Sequence, residues 1–132
     1  MKHKPIAALL VIVAVISAAW YAFLFYSLHK YETPECKQRG AALAARLDKL
    51  KQDAREDLKI GTKKDEAIRF FSGHELRVRF SAGEAIGTLQ VKGCSPSGCG
   101  TDDAILSLRV NVDVAGTVIS EPTVVSMYAD CL

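Results

Sequence analysis

The sequence predicts an α+β protein: an N-terminal transmembrane helix, then two helices packed on an antiparallel meander of three to five strands. Three observations predict it. Residues 5–28, PIAALLVIVAVISAAWYAFLFYSL, carry no charged side chain. Leu43, Leu47, Leu50, Ala54 and Leu58 recur at steps of three and four, the spacing of one helical stripe. Beyond Gly73 the apolar residues switch to a period of two, the mark of strands with one apolar and one solvated face.

The chain has 132 residues, and those after Leu28 suffice for one modest core. Lys2 and Lys4 precede the apolar run, and the remaining Lys and Arg balance the 15 acidic residues. Such a mixed-charge domain lacks the clustered basic face of a nucleic-acid binder, so no nucleic-acid partner is expected.

Residues 5–28 would make a helix of roughly 36 Å, enough for a hydrocarbon core of about 30 Å. Ser17-Ala18-Ala19 resembles a signal-peptidase site, but the residues after it stay apolar and the run exceeds a usual signal h-region. A retained anchor is therefore expected rather than a cleaved signal. A core helix is disfavoured because apolar residues cover every face. Trp20, Tyr21, Tyr26 and Tyr31 are expected to anchor one end at the membrane interface. Cys36 follows Thr33-Pro34-Glu35 rather than a small-residue lipobox, so lipidation there is not expected. The expected organisation is a cytoplasmic n-region at 1–4, the anchor at 5–28, a linker at 29–36 and an extracytoplasmic α+β domain at 37–132.

In that domain, the stripe from Leu43 to Leu58 predicts an amphipathic helix over 37–59. It is expected to pack on the chain's own sheet; the alternative is a homodimer seam along 43–58. Ile60-Gly61 ends the helix. Thr62 reads as the N-cap of a second helix, with Asp65 completing a capping box and Ser72-Gly73 stopping it. Strands are predicted around Leu76–Phe80, Leu89–Val91 and Leu106–Val114, with Ala115-Gly116 turning the last one into 117–120. Pro122 makes 123–128 either a continuation past a bulge or a separate edge strand.

The four cysteines, Cys36, Cys94, Cys99 and Cys131, all lie beyond the anchor. An even number there predicts disulfides in an oxidising compartment and so an N-terminus inside. Of three pairings, Cys94–Cys99 across the Ser-Pro-Ser-Gly turn is expected, leaving Cys36–Cys131. The spacing suits neither a C-x-x-C redox site nor a zinc site. No catalytic motif, metal cluster or cofactor loop appears, so neither an enzyme nor a cofactor is expected. His74 reads as a surface residue and Asp102-Asp103 as solvated carboxylates.

Ile60-Gly61-Thr62-Lys63-Lys64-Asp65-Glu66-Ala67-Ile68 resembles the helix start of SmpA/OmlA-type domains, the outer-membrane assembly lipoprotein and β-lactamase-inhibitor-like fold. Asp113-Val114-Ala115-Gly116-Thr117-Val118 resembles the late-strand turn of the same family. The resemblance spans about 60–128. It departs at Thr62, where Met is usual, in the anchor that replaces a lipidated Cys, and in the Cys-bounded loop. It implies a small envelope-facing interaction domain. The expected function is a membrane-anchored protein-binding or envelope-support module in a bacterial inner membrane, with the domain in the periplasm and a protein partner. Two alternatives are an immunity or inhibitor protein presenting 93–100 to a toxin or enzyme, and a thiol-redox protein using Cys94 and Cys99.

Overall fold

The computed structural model describes residues 4–29, 33–96 and 99–131. Two compact units form, Met1–Lys37 and Gln38–Leu132. In the first, α1 (Lys4–His29) is 26 residues long, roughly 39 Å of helix. Its window Ala8–His29 has a mean hydropathy of 2.5 and none of it is buried. Leu9, Val11, Ile16, Trp20, Tyr21, Phe23 and Tyr26 are all exposed. A helix apolar on every side is, by length and composition, long enough to cross a membrane, as predicted. The His29 ring stacks on Phe25 and its Nδ1 lies 3.0 Å from the Phe25 carbonyl, satisfying a C-terminal acceptor. Tyr31, the last of the predicted interface aromatics, lies outside the described residues.

The next helix, α2 (Pro34–Asp57), begins inside the stretch predicted as a linker. Thr33 explains the early start: its Oγ1 accepts the Cys36 N–H at 3.3 Å and its carbonyl the Lys37 N–H at 3.1 Å. Pro34 then occupies a first-turn position whose N–H has no intrahelical partner to lose. α2 closes on Thr62, whose hydroxyl donates to the Asp57 carbonyl at 3.3 Å. The expected N-cap role of Thr62 is thus corrected. α3 (Lys64–Gly73) is capped at Lys63, whose N–H donates to the Glu66 carboxylate at 3.4 Å.

Four antiparallel strands come next in the order β1 (Arg77–Ser81), β2 (Glu84–Lys92), β3 (Asp103–Asn111) and β4 (Thr123–Tyr128). Ala82-Gly83 turns β1 into β2, with Gly83 at φ 81°, a conformation that favours glycine. β3 begins and ends earlier than predicted, and Val114 stands fully exposed in a turn. Asp113 Oδ1 builds that turn by accepting the Ala115 and Thr117 N–H groups at 2.9 and 2.8 Å. Val112 pairs with Val118, and Arg109 with Thr123, so residues 119–122 face only two residues of the β3 side. Pro122 sits in this bulge, and β4 beyond it is an edge strand.

Alternation sends one set of strand residues to a common core. Leu50 and Ala54 of α2, Leu58 just past its end, and Ala67, Phe70 and Phe71 of α3 pack with Leu76, Ala85, Leu108, Val110, Val112, Val118 and Val124. Leu43 joins Ala104 and Leu106 in a smaller cluster alongside. The α2 stripe is therefore taken up by the chain's own sheet, the packing preferred from sequence. Gly87 lies in the row Val78, Gly87, Leu108, Val124, and a Cβ there would stand 2.4 Å from Phe71 Cδ1. Its bare backbone is what lets the fully buried Phe71 ring lie against the sheet.

Candidate interaction surface

With α2 and α3 on one side of the sheet, the opposite alternation leaves a second face without a covering element among the described residues of the Gln38–Leu132 unit. Register defines it in rows. Arg77, Thr88, Ser107 and Val125 form one; Arg79, Ile86, Arg109 and Thr123 the next; Gln90, Ile105 and Met127 a third. Arg77, Arg79 and Arg109 are exposed, as are Val125 and Met127, while Ile86 and Ile105 are half-buried between them. Arg79 and Arg109 flank Ile86 across one strand, so their Cα atoms are about 10 Å apart. None of these three arginines forms an ion pair with an acidic side chain among the described residues. The face is thus aliphatic at its centre and carries uncompensated guanidinium groups at one side, donors suited to bidentate carboxylate recognition.

A cleft of about 250 Å³ opens at the helix side, lined by Arg46, Lys49, His74, Glu75, Leu89 and Leu106 among others. Its charges are already matched internally. Arg46 bonds Glu75 at 2.9 Å, Lys49 meets Asp53 at 3.1 Å, and His74 Nε2 lies 3.6 Å from the same Asp53 carboxylate. The His74 ring also packs on Phe70, with centroids 4.4 Å apart. His74 is therefore half-buried and engaged rather than a bare surface residue.

The cysteines pair differently from the expectation. All four are disulfide-bonded, and Cys99 is joined to Cys131 with Cα atoms 4.0 Å apart. Neither Cys94–Cys99 nor Cys36–Cys131 forms, since Cys99 and Cys131 are bonded to each other; Cys36 and Cys94 are disulfide-bonded as well. The reason is strand continuation. Gly93 N–H donates to the Asp102 carbonyl, and Gly100 N–H to that of Asp130, so residues before β3 already run beside those after β4. Cys99 thereby faces Cys131 instead of reaching back across its own loop. The thiol-redox alternative loses the vicinal pair it required.

Asp102 and Asp103, grouped together by sequence, do separate structural work. Asp102 Oδ1 accepts the Ser95 N–H and hydroxyl at 3.1 and 2.8 Å, and its Oδ2 lies 3.7 Å from the Arg39 guanidinium. Asp103 pairs with Lys92. Tyr128 completes the loop by accepting the Cys94 N–H at its hydroxyl, 3.1 Å away. Among the described residues, no three His, Cys, Asp or Glu side chains gather as a metal site. The arginine face went unnoticed in sequence reading, although Arg77 and Arg79 on alternate residues placed two of its members together. Comparison with family models, with curated proteins and with solved structures finds no match for this chain.

Proposed function

We propose that this chain is a membrane-anchored binding module whose disulfide-stabilised domain engages a protein partner outside the cytoplasm. The observation that carries the reading is the open sheet face. There Arg77, Arg79 and Arg109 stand without acidic partners among the described residues, around Ile86, Ile105, Val125 and Met127. Arginine and methionine are enriched at protein interfaces, and an aliphatic centre with charged flanks matches their anatomy. Uncompensated guanidinium groups call for a partner surface bearing carboxylates. The apolar α1 supplies the anchor, and the disulfides favour an oxidising compartment. The resemblance to SmpA/OmlA-type domains supports an envelope setting, with the N-terminus inside a bacterial inner membrane and the domain in the periplasm.

The test is a photo-crosslinking residue in place of Ile86, activated in intact cells. Capture of a defined partner should disappear when Arg77, Arg79 and Arg109 are all changed to Glu. It should persist when the exposed Arg55, Lys59 and Arg69 are reversed instead. Equal loss in both variants, or capture indifferent to the arginine changes, sinks the reading. Alkaline phosphatase fused after Leu132 should be active; a silent fusion would reverse the topology.

A further inference from the structure

The last strand carries more than its share of the sheet. In antiparallel pairing, each residue turns its N–H and carbonyl alternately toward one neighbour and then the other. The Ala129 N–H donates to the Asp103 carbonyl at 2.8 Å, which fixes this alternation for β3 and β4. Thr123, Val125 and Met127 therefore bond β3, and the backbone groups of Val124, Ser126 and Tyr128 point away from it. The Gly93–Asp102 bond sets the complementary alternation on the β2 side and agrees with this assignment. Since β4 ends the sheet, those outward groups form a row with no backbone partner among the described residues.

Edge strands are ordinarily blunted by charge, by proline within the strand or by a covering element. β1, at the opposite edge, carries Arg77 and Arg79 in five residues. β4, Thr-Val-Val-Ser-Met-Tyr, carries no charge and no proline. It is also self-complementary. The outward residues Val124, Ser126 and Tyr128 are symmetric about Ser126. An antiparallel copy related by a twofold axis there would pair Val124 with Tyr128, Ser126 with itself and Val125 with Met127. All three outward residues would then sit in hydrogen-bonded positions, giving about six backbone bonds across the seam. Val125 and Met127, 40% and 52% exposed, would meet as apolar cross-strand neighbours on the open face.

We propose that β4 is a homodimerisation edge: two copies join antiparallel through Thr123–Tyr128, about a twofold axis at Ser126, into one continuous eight-stranded sheet. A second copy is the occupant because Val124–Tyr128 meets its own reversed sequence without placing a charge against the strand, with Thr123 falling opposite the uncharged Ala129, and an isologous interface requires such self-complementarity. The α2 stripe weighed from sequence as a dimer seam is buried in the core. This inference does not depend on the partner-binding reading.

The experiment uses the full chain in detergent micelles. Its association state is read by light scattering, and amide protection by hydrogen exchange. Wild type should dimerise reversibly with concentration. Val125→Lys with Met127→Lys sets like charges across the seam at exposed positions and should weaken dimerisation at least about tenfold. Val125→Glu with Met127→Glu should do the same, and mixing the two double variants should restore a heterodimer. In the wild-type dimer the amides of Val124, Ser126 and Tyr128 should gain protection that the Lys variant lacks. Those of Thr123, Val125 and Met127 should be protected in both. A monomeric wild type at every concentration, a Lys variant that dimerises like wild type, or failure of the mixture to pair would each overturn the proposal.

Discussion

Gly87→Ala tests whether the helix–sheet contact is as tight as the geometry makes it. An added Cβ would lie 2.4 and 2.5 Å from Phe71 Cδ1 and Cε1 and 3.2 Å from Leu76 Cβ. Carbon atoms in favourable contact stand about 3.5–4.0 Å apart, so the ring must retreat by about 1 Å. Phe71 is fully buried, with Phe70 edge-on beside it at 6.2 Å between centroids. Retreat therefore disturbs α3 rather than a free side chain. Overpacking of this kind costs about 1–3 kcal/mol, against which the stiffer unfolded chain returns about 0.4–1 kcal/mol. For a domain of this size each kcal/mol moves Tm by about 4–8 °C, so a fall of several degrees is expected. The assay is thermal unfolding of the full chain measured by circular dichroism. Gly73→Ala, where nothing lies within 4 Å of the new Cβ, is the matched control and should leave Tm unchanged or raised. Phe71→Leu should destabilise wild type but relieve part of the Gly87→Ala penalty, giving a coupling of about 0.5–3 kcal/mol. An unchanged Tm for Gly87→Ala, or strict additivity with Phe71→Leu, would refute the reasoning.

Non-reducing peptide mapping should recover one peptide pair joining Cys99 to Cys131 and none joining Cys94 to Cys99. Changing Cys99 and Cys131 together to Ser should lower stability by about 3.5–4 kcal/mol through the entropy of the 32-residue separation, measured by urea unfolding. Asp113→Ala leaves the Ala115 and Thr117 N–H groups without their acceptor, and a loss of about 1–2 kcal/mol in the same assay is expected. Tyr128→Phe removes the hydroxyl that accepts the Cys94 N–H; about 1 kcal/mol should be lost, with faster exchange of that amide.

Much of the fold was legible because its signals are local. The α2 stripe, the period-two strands and the Asp113–Gly116 turn each depend on spacings of a few residues. Boundaries shifted where two readings of one residue competed. Pro34 reads as a stop from upstream, yet with Thr33 ahead of it the same residue opens a helix. Thr62 has the chemistry to cap α3, but its hydroxyl closes α2 instead. The disulfide pairing failed because the short Cys94–Cys99 separation describes proximity along the chain only. The register that carries 99–102 beside 129–131 brings Cys99 to a residue 32 positions away. The arginine face was half visible in Arg77 and Arg79; Arg109 joined them only through strand register.

Composition and periodicity suffice to make this chain open with a helix apolar on all sides and continue as a small α+β domain with one buried sheet face. They suffice because burial selects apolar residues at the period of each element. Long-range packing settled which cysteines meet, why residue 87 must lack a side chain, and which strand is left at the open edge with Val124, Ser126 and Tyr128 facing outward. Each depends on which strand lies beside which and in what register, and that is set by contacts between residues far apart in the chain.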